Sequence, residues 1–265
     1  TRVESSAASD VYKRQGAETV TDEVRLQEDL VHINVCKLLG YGVEAGKLFV
    51  ALEFCSGGDL YGLMRARDGA RFSWLEVGTC MSELLSATEF VHSRGVTHRD
   101  IKPANILLQD NPGMETWRVK LADFGFAARC PPGKFLSGSG TVPYSAPEQL
   151  KNSCNEACDV WACGCIFFEL VCGEYLVSSD LWEDSAKAYA YLFSTQYGTK
   201  LRSFDEKCAV MIYAQPLLRT LLQRAWRNRC SAGEALRHLF FKNRLWWGNL
   251  GTGSCDTGLA REEER

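Results

Sequence analysis

From Val160 to Cys172 the chain runs for 13 residues with Glu169 as the one charged side chain. A helix built from such a run has no polar face to turn toward water, so it must be covered on every side. This requirement constrains the fold more than any other feature. Enough further helices must exist to surround the run, and the sequence from Asp159 onward reads as helical throughout. At 13 residues the run is well short of the roughly 20 needed to cross a bilayer, so no membrane span is expected.

Ahead of this helical part the pattern changes. Thr19-Val-Thr-Asp22 reads as a capping signal, and Glu23, Leu26 and Leu30 recur at helical spacing, which predicts a first helix over 20–30. Two strand-like runs, 35–41 and 47–54, flank the short turn Glu44-Ala-Gly46. Ser73 followed by Glu76 forms a capping box for a long helix with Trp74, Val77, Met81, Leu84, Thr88 and Val91 on one face, and Gly95 is its stop. Residues 106–108 and 118–122 read as strands around Asn111-Pro-Gly113, a turn. The predicted fold class is therefore α+β, with strands confined to the first half.

Charge excludes one class of function. With 30 Lys+Arg against 33 Asp+Glu the net charge is −3, which does not suit a generally basic nucleic-acid binder, and no direct nucleic-acid partner is expected. The 12 cysteines are scattered, without a C-x-x-C pair, and Cys163 and Cys165 fall inside the apolar run. Disulfides, zinc or free thiols are all conceivable; buried free thiols fit best, in a reducing cytoplasmic or nuclear compartment. Residues 1–15 carry charges and small polar side chains where an export signal needs an apolar stretch.

Three blocks carry chemistry: His98-Arg-Asp-Ile-Lys-Pro-Ala-Asn105, Asp123-Phe-Gly125 and Ala146-Pro-Glu148. In this order the blocks resemble the signature set of the protein kinases, with their two-lobe fold. The chemistry that the resemblance implies suits the residue types, because phosphoryl transfer from a nucleotide needs a proton acceptor and hard oxygen ligands for magnesium. The resemblance implies ATP and Mg2+ as cofactors and a protein carrying Ser or Thr as substrate. It makes Asp100 the catalytic base, Lys102 the cation that neutralises the transferring phosphate, and Asn105 and Asp123 the magnesium ligands. His98 then holds the loop backbone and takes no part in proton transfer. Arg99 implies a basic pocket for a phosphate on the following loop, where Ser137 and Ser139 are acceptor candidates or plain solvated serines.

Further positions follow from the same resemblance. Gly140-Thr-Val-Pro-Tyr144, with Thr141 beside the base, is similar to the segment that receives the substrate peptide. Leu52-Glu-Phe-Cys55 with Gly57-Gly-Asp59 resembles the adenine hinge, so Leu52, Glu53, Cys55 and Asp59 are nucleotide-site candidates, with Leu107 as the adenine floor. Glu148 is expected to pair with Arg229, and Asp159 to keep the fold. Cys55-Ser-Gly-Gly-Asp59, Thr97-His-Arg-Asp100 and Gly140-Thr-Val-Pro-Tyr144 are most similar to the checkpoint kinase branch. Ala104 stands where many arginine-directed kinases carry Glu, which removes one contact to a basic substrate residue.

One part of the pattern is missing. Glu23 matches the helix glutamate that pairs with a phosphate-gripping lysine, yet the window Val3 to Ala8 where that lysine belongs has none, and no G-x-G-x-x-G precedes Glu23. Residues 5–15 resemble translated sequencing-adapter sequence. The expected organisation is thus residues 1–15 outside the fold, a partial N-terminal lobe over 16–54, a helical lobe over 55–247, and a tail over 248–265. Two functions are carried forward: a Ser/Thr protein kinase, with this chain itself weakly active or inactive, and a non-catalytic pseudokinase or truncated interaction domain.

Overall fold

The apolar run forms the greater part of a helix, Ala157–Cys172, and every residue of that helix is buried. It stops at Gly173, whose left-handed backbone (φ 71°) suits a residue without Cβ, and the Gly173 N–H closes the last turn on the Glu169 carbonyl. The computed structural model describes residues 17–44, 47–67, 72–110, 116–131, 133–207 and 213–242. In chain order its first elements are α1 (Ala17–Glu28), β1 (Leu38–Glu44), β2 (Lys47–Leu52), α2 (Leu60–Ala66) and α3 (Trp74–Ser93). Short strands follow: β3 (Val96–Thr97), β4 (Ile106–Gln109), β5 (Arg118–Leu121) and β6 (Ala128–Arg129). The remainder is helical: α4 (Pro147–Leu150), the central α5 (Ala157–Cys172), α6 (Ser185–Leu192), α7 (Thr195–Lys207), α8 (Ala214–Leu221), α9 (Ala232–Leu236) and α10 (Leu239–Lys242).

Around α5 the covering that the sequence demands is in place. Helix α3 packs on one side, with the Thr88 hydroxyl against Cys163, and Phe167 and Phe168 meet Phe204 of α7 and Phe240 of α10. Trp161 stacks on Tyr197. Gly164 faces α8 so closely that a Cβ there would lie 2.8 Å from Leu222, which is why this turn of an otherwise bulky helix carries no side chain. Helix α3 begins with the predicted capping box of Ser73 and Glu76, and Gly95 (φ 69°) follows its end. The Glu148–Arg229 pair expected from the motifs is also present, at 2.6 Å, with Arg229 further donating to the carbonyls of Ala157 and Gln223.

The strands make three two-stranded antiparallel sheets, β1–β2, β3–β6 and β4–β5. The first departs from expectation at its start. Val35 and Cys36 are not part of β1; they are fully buried against the helical lobe, Val35 bridging to Leu121 and the Cys36 N–H donating to the Leu121 carbonyl at 2.8 Å. Burial of these two side chains against β5 outweighs a continuous hairpin. Strand β2 ends at Leu52, because Phe54 swings out to 69% exposure, although the Glu53 N–H still pairs with the Lys37 carbonyl. Helix α1 starts at Ala17, so Thr19 lies within it instead of capping it. Its buried side is Val24 and Gln27, and the Gln27 amide donates to the Cys36 carbonyl.

The lobe from Asp159 onward is not helical without break, since the segment between α5 and α6 holds only a 3-10 turn at Ser179–Leu181. The turn at 111–113 and the segments 1–15 and 248–265 lie outside the described residues. Among the described residues no helix is long and apolar enough to cross a membrane. Ten cysteines are described, all free.

Glu169 is the anomaly in the central helix. It is 6% exposed and accepts a hydrogen bond from the Tyr144 hydroxyl at 2.8 Å. Burial pushes its carboxyl up to about 7, with the Tyr144 bond pulling the other way. Between the ordinary value of 4.5 and about 7 the native state keeps a proton that the unfolded chain has lost, so stability falls as pH rises through that window and levels above it. Glu169→Gln is expected to remove up to about 3 kcal/mol of this dependence in urea unfolding followed from acid to mildly alkaline pH. An unchanged pH slope would show that another group titrates.

Candidate active site

The site begins with a loop that cannot hold itself. After β3 the chain passes through Arg99, a non-glycine residue with a left-handed backbone (φ 69°), a conformation that costs energy unless neighbours impose it. Asp159 of α5 imposes it: one carboxylate oxygen accepts the His98 N–H at 2.8 Å and the other the Arg99 N–H at 2.8 Å. His92 of α3 adds a third bond to the same carboxylate, also at 2.8 Å. Burial alone would raise Asp159, but His92, with the His98 N–H adding to it, outweighs burial and holds the carboxyl below its usual range. From the other side the Gln149 amide donates to the Arg99 carbonyl at 2.8 Å. The His98 ring accepts the Asp100 N–H at Nδ1 (3.3 Å), so Nε2 carries the proton and donates to the Ala122 carbonyl (3.1 Å). It is a backbone support, as expected.

Four predicted residues come together at that loop, three from the loop itself and Thr141 from the segment ahead of α4. Asp100 Oδ1 accepts the Thr141 hydroxyl at 2.7 Å, and Oδ2 accepts Lys102 Nζ at 2.7 Å and Asn105 Nδ2 at 3.3 Å. Lys102 Nζ also donates to Thr141 Oγ1 at 3.1 Å. Asn105 spends its amide nitrogen on Asp100, the carbonyl at 2.9 Å as well as the side chain, which leaves Oδ1 as a hard oxygen donor. Asp100 is almost fully buried while Lys102 and Thr141 are half-buried, so the cluster opens toward one side.

Asp123 follows β5, whose pairing with β4 sets Ile106 against Leu121 and so brings the two motif ends together. Its backbone is left-handed (φ 63°), and its carboxylate accepts the Gly125 N–H at 3.2 Å. Phe124 beside it is fully buried against His98, ring centres 4.9 Å apart, which anchors the motif to the loop. Glu23 of α1 reaches the same place. Burial and the nearby Asp123 charge push its carboxyl up to about 7, and among the described residues no lysine or arginine pairs with it.

The hinge candidates run along the edge of β4. The Gly57 N–H donates to the Leu108 carbonyl (2.7 Å) and the Leu108 N–H to the Gly58 carbonyl (2.8 Å), with Asp59 bridging to Leu107. Ile106 and Leu108 turn inward, which leaves Leu107 half-exposed on the opposite face. Leu52 is 39% exposed and Cys55 partly exposed. Asp59 caps α2 by accepting the Gly62 N–H at 2.7 Å. Glu53 turns its side chain away from the hinge, accepting the Lys37 N–H at 2.7 Å and Lys120 Nζ at 2.8 and 2.9 Å. Lys120 is 6% exposed and was missed by sequence reasoning; its signal was a charge in the inward half of Arg118–Leu121. Gln149 and Tyr144 are likewise supports that no motif chemistry announced.

The sequence matches the family model described as "Protein kinase domain" over residues 3–241. The chain belongs to the protein kinase family. The match begins ahead of residue 16, where the motif resemblance was expected to start. This kinase domain is 30% identical over 87% of its length to "Calcium-dependent protein kinase 5" of Plasmodium falciparum, of which it spans 39%. It is 31% identical over 84% of its length to "Aurora/IPL1-related protein kinase 2" of Caenorhabditis briggsae, spanning 68% of that protein. With "Carbon catabolite-derepressing protein kinase" of Secale cereale the identity is 31% over 84% of this chain and 41% of the relative.

If Asp159 imposes the loop, Asp159→Asn replaces one acceptor oxygen by an NH2 group facing a donor. The expected cost is about 3 kcal/mol, and hydrogen exchange at the His98 and Arg99 amides should rise more than at α5. Equal loss of protection across both would mean that Asp159 supports the helix and not the loop.

Proposed function

We propose that this kinase domain transfers the γ-phosphoryl group of ATP to serine or threonine hydroxyls of proteins. The single observation carrying the reading is the Asp100–Lys102–Thr141 cluster. There a hydroxyl lies 2.7 Å from a carboxylate oxygen and 3.1 Å from an ammonium, which is the environment an attacking hydroxyl needs. In this reading Asp100 accepts the proton of the substrate hydroxyl as it attacks. Lys102 faces the negative charge that develops on the transferring group, and a fixed cation in a partly dry site stabilises such charge more than water does. The residues fit a magnesium site: Asn105 Oδ1 and the Asp123 carboxylate are the hard oxygen donors that would hold it. Magnesium, when bound there, supplies charge neutralisation on the phosphate oxygens. Residues 55–59 would border the adenine and Leu107 lie beneath it. The segment from Gly140 to Tyr144, next to Lys102, suits a protein acceptor and favours Ser/Thr over Tyr. Similarity to the checkpoint kinase branch rests on the motifs alone and belongs to this proposal, as does a cytoplasmic or nuclear setting.

A second reading, a non-catalytic interaction domain, has its own observation. Asp123 repels Glu23 and helps to raise its carboxyl, and two acids in one place repel the phosphates as well. Positioning is most of phosphoryl-transfer catalysis, so a chain lacking the glycine loop and lysine upstream of Glu23 should grip the triphosphate poorly.

Three outcomes are expected. In a chain supplied with that loop and lysine, Asp100→Asn lowers turnover by about 100-fold or more while circular dichroism stays native; near-normal turnover sinks the base assignment. Phosphoamino-acid analysis of a labelled peptide library gives phosphoserine and phosphothreonine, and predominant phosphotyrosine refutes the acceptor class. Calorimetry of the present chain with MgATP shows weak binding or none; low-micromolar affinity would mean that other residues replace the glycine loop.

A further inference from the structure

Glu89 and His92 lie three residues apart on α3, so both project from one face of that helix. With Glu156 ahead of α5, Trp226 and Arg227 of the turn that precedes α9, and Glu234 of α9 itself, they line a cavity of about 420 Å³. That volume is within the range of small-molecule sites. No residue of the Asp100 cluster borders it, so the proposed phosphoryl transfer leaves it unused.

The groups around this space accept hydrogen bonds more than they donate them. Glu89 accepts the Gly233 N–H at Oε2 (2.8 Å), and its Oε1 has no donor among the described residues. Glu234 accepts the Ser231 N–H at Oε2 (2.8 Å), again with Oε1 unspent. The exposed Glu156 carboxylate has no donor among the described residues. The His92 ring is 9% exposed; Nε2 is spent on Asp159 at 2.8 Å, while Nδ1 has no partner among the described residues. In the neutral ring, with Nε2 donating, Nδ1 is one more acceptor, nine-tenths buried and reached from the cavity that the ring lines.

Cations in the wall do not cancel these groups. The five Arg229 N–H donors are all spent, on Glu148 and on the carbonyls of Ala157 and Gln223. Arg227 lies over the Trp226 ring, 4.4 Å from its centre, and pairs with no carboxylate among the described residues. Three carboxylates therefore face one unpaired guanidinium, a balance that repels phosphate and attracts amines.

We propose that this cavity binds a linear aliphatic polyamine, whose ammonium groups donate to Glu89, Glu156 and Glu234 and one of whose N–H groups reaches His92 Nδ1. The carboxylates come from three separate segments, which suits a flexible chain of spaced ammonium groups better than one compact cation. The bound chain would also touch the histidine that holds Asp159, and through it the frame of the loop carrying Asp100.

The test is calorimetry of the full chain with spermidine at fixed ionic strength. Saturable one-to-one binding is expected, with n-butylamine weaker by about tenfold or more and inorganic phosphate not bound. Glu156→Gln should weaken spermidine about fivefold, and Glu156→Lys, which sets a cation in the cavity, should abolish binding. Glu183→Gln removes an exposed acid outside the cavity and should change nothing. A second measurement needs no variant: spermidine should slow hydrogen exchange at the Gly233 amide and leave the β1–β2 hairpin unchanged. Absence of saturable binding, equal affinity for n-butylamine, binding of phosphate, affinity unchanged in Glu156→Lys, an equal loss in Glu183→Gln, or an unprotected Gly233 amide would each overturn the proposal.

Discussion

A single buried carboxylate, Asp159, holds the helical core and the chemical loop in one frame. It sits in the first turn of α5, where the helix dipole favours negative charge, and it is saturated by three donors from two other segments. A charge removed from water so completely is tolerated only when its partners are all present. That demand runs in both directions: the carboxylate needs the loop N–H groups, and the loop needs the carboxylate to keep Arg99 left-handed. Asp100, Lys102 and Asn105 inherit their positions from this arrangement, because each lies within a few residues of the fixed backbone. The Phe124 ring against His98 extends the same frame to Asp123.

The two parts of the molecule are unequally supported. Helix α5 is buried at every position, with aromatic rings packed around it and the Glu148–Arg229 pair sealing one side. The β1–β2 hairpin is less covered among the described residues: α1 meets both strands, yet Leu39, Tyr41, Val43 and Phe49 are between 50% and 70% exposed. Two strands alone bury little, and what holds them is the descent of Val35 and Cys36 into the helical lobe together with the Glu53–Lys120 pair. The hairpin is accordingly the part whose opening should cost least.

Much of the site was legible because its chemistry is concentrated in short contiguous blocks. Asp100, Lys102 and Asn105 fall on one loop, and their types alone state a proton acceptor, a cation and an oxygen donor. The capping box at Ser73, the stop at Gly95 and the burial of α5 were equally readable, since each depends on a local pattern or on one periodic run. The start of β1 was not: residues 35–41 alternate like a strand, but long-range pairing with Leu121 captures the first two. Thr19 was misread as a cap for a related reason, as helix α1 begins earlier than its local signal.

By itself the sequence determined the family, the class of chemistry and the need for a helix buried on all sides, because these are written in residue types at short spacing. Only the tertiary structure decided that Asp159 grips the loop from 60 residues away, and that Glu23 comes near enough to Asp123 for the two charges to repel. It also decided that Lys120 occupies Glu53. These are contacts between side chains remote in sequence, each with several possible partners by type. Which partners meet is settled by how β5 and α5 bring the segments together, a geometry that no local pattern specifies.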